Sequence, residues 1–268
     1  MRETAYAKIN LALHVRRRRD DGYHELETLF AFVDAGDELV ARSASADRIE
    51  ITGEFASSLT DSFGNIVAQA LGVLPRPDGL AITLEKRLPV AAGLGGGSAD
   101  AGAVFRLVER LHTLPENWRE RAAKLGADVP ACVESVTCIG RGTGTQLEPV
   151  DNDLAGTPVL LVNPSTPLAT GPVFKAWDGR DSGALPSGTA SDIAYAGHNG
   201  LEPAAIAQSP EISAVLGALR GTDATLARMS GSGASCFALF GSEAARDDAA
   251  RALSAEFPHW WRMAGRLR

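Results

Sequence analysis

The sequence predicts a mixed α+β protein in two parts, and three observations carry that prediction. Strand-like alternation opens the chain, a glycine loop runs straight into a helical pattern near residue 100, and a fresh apolar strand begins after a polar patch near residue 150. The expected division therefore falls at 150, into an N-terminal part over 1–150 and a C-terminal part over 151–268. A chain of 268 residues is long enough for each part to bury a core.

The elements follow in order. AYAKINLALHV (5–15) alternates as a strand does, and DELVARS (37–43) and RIEITGEF (48–55) repeat that character around turn residues. NIVAQALGVL (65–74) reads as a helix stopped by Pro75 and Pro77, and LAITLEKRLP (80–89) as a strand that enters the glycine loop. Beyond the loop Val104, Leu107, Val108 and Leu111 mark one apolar helix face. After the polar patch DNDLAGT (151–157) comes the strand PVLLVNP (158–164), then DGRDSGALPSGTASD (178–192), whose composition predicts a flexible loop. Two helical segments, 210–220 and 242–256, flank MSGSGASCFALF (229–240), a second small-residue turn beside a strand.

Composition narrows the function classes. With 45% hydrophobic and 22% charged residues, neither disorder nor a fibrous repeat fits. A net charge of -7 supplies no global attraction for nucleic acid or an anionic membrane. The run Arg16-Arg17-Arg18-Arg19 is followed by Asp20-Asp21-Gly22 and reads as a solvated turn with partly compensated charge. Cys132, Cys138 and Cys236 show no metal-ligand spacing and no disulfide-scaffold density, so buried reduced thiols are expected. Lys8 and Asn10 interrupt the apolar centre that a signal peptide needs, and no run is long enough to span a membrane; a cytoplasmic protein is the expectation.

The stretch LPVAAGLGGGSADAG (88–102) carries the chemistry. It holds Gly93, Gly95, Gly96, Gly97 and Gly102 immediately before and inside a helical pattern. Glycines at a helix start let backbone N–H groups converge on an anion while the helix end supplies partial positive charge, so phosphate is the natural guest. Ser98 adds a hydroxyl that can cap the helix, touch a phosphate or reach Mg2+. The Walker pattern needs a lysine where this loop has Gly97-Ser98-Ala99, and the dinucleotide fingerprint needs an acidic residue at a second strand tip where this chain has a helix and then Leu114-Pro115. Tight packing alone is the bland alternative.

LPVAAGLGGGSADA resembles the central ATP-phosphate loop of the GHMP kinases, AYAKINLALHV their first motif, and MSGSGASCFALF their third, in the family's order over nearly the whole chain. Within that family AKINLAL, DGYHELETLF (21–30), GLGGGSADA and LGADVPAC (125–132) are similar to the branch that acts on a CDP-linked methylerythritol. The resemblance implies a two-domain α+β fold, with an N-terminal α/β domain containing a left-handed βαβ crossover and a ferredoxin-like C-terminal domain. It implies transfer of the ATP γ-phosphate to the acceptor's 2-hydroxyl, in the non-mevalonate route to isoprenoid precursors. The implied partners are ATP, Mg2+ and the small-molecule acceptor, with no nucleic acid or membrane, in a monomer or weak homodimer.

The resemblance also assigns roles. Asp128 is the candidate base, although by composition it reads equally well as a helix-boundary residue before Pro130. Lys8 lies in an apolar strand, where its charge must snorkel or find a partner; the resemblance pairs it with Asp128 beside the acceptor hydroxyl. Asn10, on the same strand face, would bind the acceptor, and Tyr23 and His24 the cytosine by stacking and hydrogen bonding. Phe174 is either the second face of that aromatic clamp or a core residue. Asn65 and Lys86 match positions near the nucleotide, Lys86 being otherwise a solvated strand-end lysine. The backbone of Pro89, Val90, Ala91, Ala92, Gly93, Leu94, Gly95, Gly96, Gly97, Ser98 and Ala99 matches the phosphate cradle, and Ser98 a magnesium contact. The chain departs from the family at Thr145, commonly a glutamate, and at Gly200, usually an aspartate.

Overall fold

The computed structural model describes all residues except Thr60 and the side chains of 61–65. The chain forms two compact units that interleave in sequence, instead of dividing once near residue 150: one comprises 1–8, 35–90 and 95–135, the other 9–34, 91–94 and 136–268. The cause lies in two long strands, β1 (Arg2–Arg18) and β2 (His24–Ala44), each of which contributes to both units.

In the first unit β3 (Arg48–Thr52) and β4 (Gly79–Glu85) run parallel from Arg48↔Ala81 to Thr52↔Glu85, joined by the helix α1 (Asp61–Val73). Parallel neighbours need such a crossover. β4 pairs antiparallel with the end of β2, from Glu38↔Glu85 to Ala44↔Gly79, and alternates as the sequence predicts, with Leu80, Ile82 and Leu84 buried. Three helices complete the unit: α2 (Gly96–Glu109), α3 (Trp118–Leu125) and α4 (Val129–Glu134). Val104, Leu107 and Val108 of α2 are buried, but Leu111 is 43% exposed because the helix ends at Glu109 and the face it would have continued no longer exists.

In the second unit the start of β2 pairs with β5 (Cys138–Gly142), which forms a hairpin with β6 (Gln146–Pro149). A separate four-stranded sheet is built from β7 (Pro158–Asn163), β8 (Ala224–Met229), β9 (Cys236–Phe240) and β10 (Trp261–Arg266) in the order β10-β7-β9-β8, all antiparallel. Helices α5 (Thr170–Ala176), α6 (Ala190–Ala196), α7 (Glu202–Gln208) and α8 (Glu211–Arg220) lie between β7 and β8, and α9 (Glu243–Glu256) between β9 and β10. This strand–helix–strand–strand–helix–strand succession is the ferredoxin-like arrangement expected of the C-terminal part. Every residue of β9 is buried, and Leu160, Val162, Ile212, Leu216, Phe240 and Leu253 form the core beneath α8 and α9.

Two local expectations change. Arg16, Arg17 and Arg18 finish β1 and do not form a turn; the turn is closed by Arg19 N–H donating to the Tyr23 carbonyl at 2.8 Å. Arg16 is compensated by Glu27 and Asp181 and Arg17 by Glu25, carboxylates other than the adjacent Asp20 and Asp21. Residues 178–189 carry no helix or strand, yet they are tied down by the Arg16–Asp181 pair, by Leu185 N–H donating to Glu27 Oε2 at 3.2 Å and by a Thr189–Asp192 capping box. All three cysteines are buried and none forms a disulfide, as predicted.

Candidate active site

In the first unit the Lys8 side chain, 5% exposed, meets Asp128 at 2.9 Å. Asp128 occupies the residue before α4, but its side chain makes no capping bond to the helix. The helix-boundary reading of this residue therefore does not account for the carboxylate; Lys8 does. Asp128 remains about one-third exposed, so the pair is open to a reacting group on one side.

The loop glycines answer to several constraints. Gly95, the cap residue of α2, has φ +63, and a Cβ there would stand 3.0 Å from Lys8 Cε. Gly102, inside α2, lets the helix approach α4, since a Cβ would lie 2.5 Å from the Cys132 carbonyl oxygen. In the second unit Gly93 has φ +77, and a Cβ would lie 2.4 Å from the Ser230 carbonyl oxygen and 2.9 Å from that of Gly233. The protein's own backbone and Lys8 thus exclude side chains at these three positions. Gly96 differs: a Cβ would make only ordinary contacts, the nearest 3.5 Å from Lys86 Nζ. The first turn of α2 has no side-chain cap and no acidic residue, and the N–H groups that open a helix lack intrahelical partners; the ladder begins with Ala99 N–H donating to the Gly95 carbonyl at 2.8 Å. Residues Ala92, Leu94 and Ala99 bury their side chains, leaving only backbone to offer a ligand, while Ser98 is half-buried on that first turn.

Lys86 is not a solvated strand-end lysine. It is 2% exposed, with Nζ donating to Asp100 Oδ2 at 2.7 Å and also to Asp37, while Asp37 Oδ1 accepts the backbone N–H groups of Arg87 and Leu88 at 2.6 and 2.8 Å. Burial pushes the Asp100 carboxyl well above the ordinary carboxylate range, and the two carboxylates raise Lys86 against the opposing effect of its own burial. Asp37 and Asp100 were invisible to sequence reasoning, because an acidic residue in a strand or helix signals nothing until its partner is known. The side chain of Asn65 lies outside the described residues.

In the second unit Asn10 is buried; its amide donates to Thr28 Oγ1 at 2.7 Å and its backbone N–H to Ser230 Oγ at 3.2 Å. Ser230 Oγ in turn donates to the Gly93 carbonyl at 2.7 Å, so the third motif braces the central loop as the resemblance implies. Tyr23 is 64% exposed. The aromatic contact that the fold assembles is that of His24 with Phe174, at 5.0 Å between ring centroids, and with Trp177, edge-on at 5.6 Å. Phe174 is half-buried and packs on the core, as the core reading of it expects, while its ring also meets His24. His24 Nε2 is buried without a hydrogen-bond partner. Its imidazole is held below its usual pKa by burial first and by the Arg18 charge second, so it is neutral near pH 7. Trp177 was missed because an isolated tryptophan in a loop carries no pattern.

Both departures from the family sit in well-bonded turns. Thr145 Oγ1 lies 3.4 Å from Thr143 Oγ1. Gly200 N–H donates to the Leu13 carbonyl at 2.8 Å, and a Cβ there would lie 2.6 Å from Ser182 Oγ, so a side chain such as aspartate at this position would require Ser182 to move. Among the described residues no group of three or more His, Cys, Asp or Glu side chains is arranged to hold a metal, and no helix is long and apolar enough to cross a membrane.

The fold and these side chains define a kinase: the chain belongs to the GHMP kinase family, matching the model of the family's N-terminal domain over residues 59–137 and that of its C-terminal domain over 187–259. It is therefore an ATP-dependent small-molecule kinase. It is 69% identical over its full length to 4-diphosphocytidyl-2-C-methyl-D-erythritol kinase from Novosphingobium aromaticivorans, covering 93% of that protein, and 63% identical over 99% of its length to the same-named kinase from Erythrobacter litoralis, covering 98% of it. A crystal structure of 4-(cytidine 5'-diphospho)-2C-methyl-D-erythritol kinase aligns with a TM-score of 0.82 at 33% identity, covering 100% of this chain and 99% of the other. Homoserine kinase from Cytophaga hutchinsonii shares the fold at a TM-score of 0.65 and 18% identity, covering 97% of this chain and 94% of its own.

Proposed function

We propose that the protein transfers the γ-phosphoryl group of ATP to the 2-hydroxyl of 4-diphosphocytidyl-2-C-methyl-D-erythritol, giving the 2-phosphate and ADP. The observation that carries the choice of acceptor is the neutral His24 ring beside Phe174 and Trp177, with a buried Nε2 that lacks a partner and suits the polar edge of a nucleobase. Homoserine and mevalonate present no base to such a group.

Bound ATP supplies the phosphoryl group, and Mg2+ compensates charge on its oxygens. Phosphoryl transfer asks the protein mainly for positioning and charge stabilisation. The uncapped start of α2 suits a polyphosphate, with the backbone of Gly96, Gly97 and Ser98 as donors, and the Ser98 hydroxyl would hold Mg2+ from the protein side. Asp128 accepts or orients the proton of the acceptor hydroxyl as its oxygen bonds to phosphorus and the bond to the β-phosphate oxygen breaks. Lys8, paired with it, balances developing charge. Asn10 holds the acceptor, and Lys86, buried and bonded to Asp37 and to Asp100 of α2, supports the start of that helix beneath Gly96.

ADP release in magnesium and ATP, with the cytidine compound, its uridine analogue, homoserine and mevalonate offered separately, tests the reading. Turnover confined to the cytidine compound is expected. Turnover on homoserine or mevalonate in its place would overturn it.

A further inference from the structure

Arg18 stands at the end of β1 and was read from sequence only as part of a basic run. Its Nη2 donates to the Trp177 carbonyl at 2.6 Å and to the Lys175 carbonyl at 3.0 Å, and its guanidinium carbon lies 5.9 Å from the Trp177 ring centroid. These carbonyls close the C-terminal end of α5, a helix of seven residues. So short a helix is not stable by itself, and its last carbonyls have no intrahelical donors, so a cation there both bonds them and opposes the helix dipole. Val173 and Trp177 bury one side of this segment, and Phe174 turns toward His24.

We propose that Arg18 is a positioning residue for acceptor recognition: by tying the end of α5 to β1 it fixes Phe174 and Trp177 against the His24 ring. The inference rests on the cytidine reading above. The neighbouring arginines are compensated by carboxylates, Arg16 by Glu27 and Asp181, Arg17 by Glu25, Arg19 by Asp21. Lys175 and Asp178 at the end of α5 are exposed and of opposite sign. Arg18 is the charge that acts on the imidazole, adding to its burial. The side chain is exposed, so its replacement leaves the core intact.

The test compares wild type with Arg18→Met, Arg18→Lys and His24→Ala, measuring kcat and both KM values from pH 5.5 to 8, a range of roughly one unit or more on each side of an ordinary imidazole. Arg18→Met is expected to raise the acceptor KM about fivefold, within what losing charge-assisted hydrogen bonds costs, with kcat and the ATP KM within about twofold of wild type. It should also shift the acid-side fall of kcat/KM for the acceptor to higher pH, because removing a neighbouring cation favours the imidazolium. Arg18→Lys should keep that fall in place, because it retains the charge, while still raising the acceptor KM. An unchanged acceptor KM and acid limb in Arg18→Met, or equal losses in kcat and ATP KM, would overturn the inference. If His24→Ala also leaves the acceptor KM unchanged, the cytidine reading has failed; if only the Arg18 variants are silent, this inference alone has.

Discussion

At the scale of single residues the chemistry reduces to two pairings. Asp128 is placed where a helix cap would be and is used differently, its carboxylate turned to a buried lysine. Asp128→Asn should lower kcat by about 10²–10⁴-fold, the range for losing a proton acceptor, while a nucleotide titration shows ATP affinity within about twofold of wild type. Equal loss of ATP affinity would move Asp128 out of the acceptor role. His24 makes the second case. Its folded pKa lies below the ordinary value of roughly 6.5, so the neutral ring persists through neutrality, and acceptor KM should be flat from about pH 7 to 8 and rise at lower pH as the ring protonates. His24→Gln, neutral at every pH and still able to hydrogen-bond, should lose that acid dependence; persistence of the dependence in the variant would assign it to another group.

At the scale of elements the glycine loop separates into positions that the fold needs and positions left for a ligand. A residue with φ near +77 already strains any side chain, and at Gly93 the new Cβ would also meet the Ser230 carbonyl. Gly93→Ala should therefore cost about 2–4 kcal/mol, combining left-handed strain with overpacking, and Gly102→Ala about 1–3 kcal/mol by forcing α2 from α4. Gly96→Ala meets only ordinary contacts and should leave Tm nearly unchanged while weakening ATP binding at the helix start. Calorimetry and nucleotide titration on the three variants check this. A Gly96→Ala protein that binds ATP like wild type would show that the cradle lies elsewhere.

At the scale of the whole molecule the buried Lys86–Asp37–Asp100 cluster sets the response to pH. Asp100 is raised by burial and holds its proton more tightly folded than unfolded, so its contribution is present at acid pH and is lost as pH rises from the ordinary carboxylate range toward its folded value. Lys86 is raised too, and its contribution is complete below the ordinary lysine value of roughly 10.4 and disappears as pH climbs through the higher folded value. Both signs agree: the cluster's contribution falls as pH rises, and Tm should decline in the alkaline range. Lys86→Met, which strands the buried Asp37 carboxylate and leaves Asp100 without its donor, should cost about 3–5 kcal/mol, whereas Asp100→Asn, which puts a neutral hydrogen-bonding side chain where burial disfavours charge, should cost less than about 1 kcal/mol. A large loss from Asp100→Asn would mean that this carboxylate is ionised in the folded protein.

What was legible from sequence alone is whatever depends on near neighbours in the chain. Alternation in β1 and β4, the apolar face of α2, the glycine loop before it and the motif residues that mark the family all lie within windows of a dozen residues or so. Lys8 declared itself because a charge in an apolar strand requires a partner. The tertiary structure alone decided which partner met which residue: Asp37 and Asp100 with Lys86 across 49 and 14 residues, Trp177 with His24, Arg18 with the end of α5, and a core that two long strands divide into interleaved units. It also decided why Gly93, Gly95 and Gly102 bear no side chain, since the atoms a Cβ would strike are the protein's own, two of them brought in from distant stretches of chain. Sequence reports a residue's preference for burial, pairing or a left-handed turn; packing determines which atoms satisfy it, because that depends on distances the chain order does not encode.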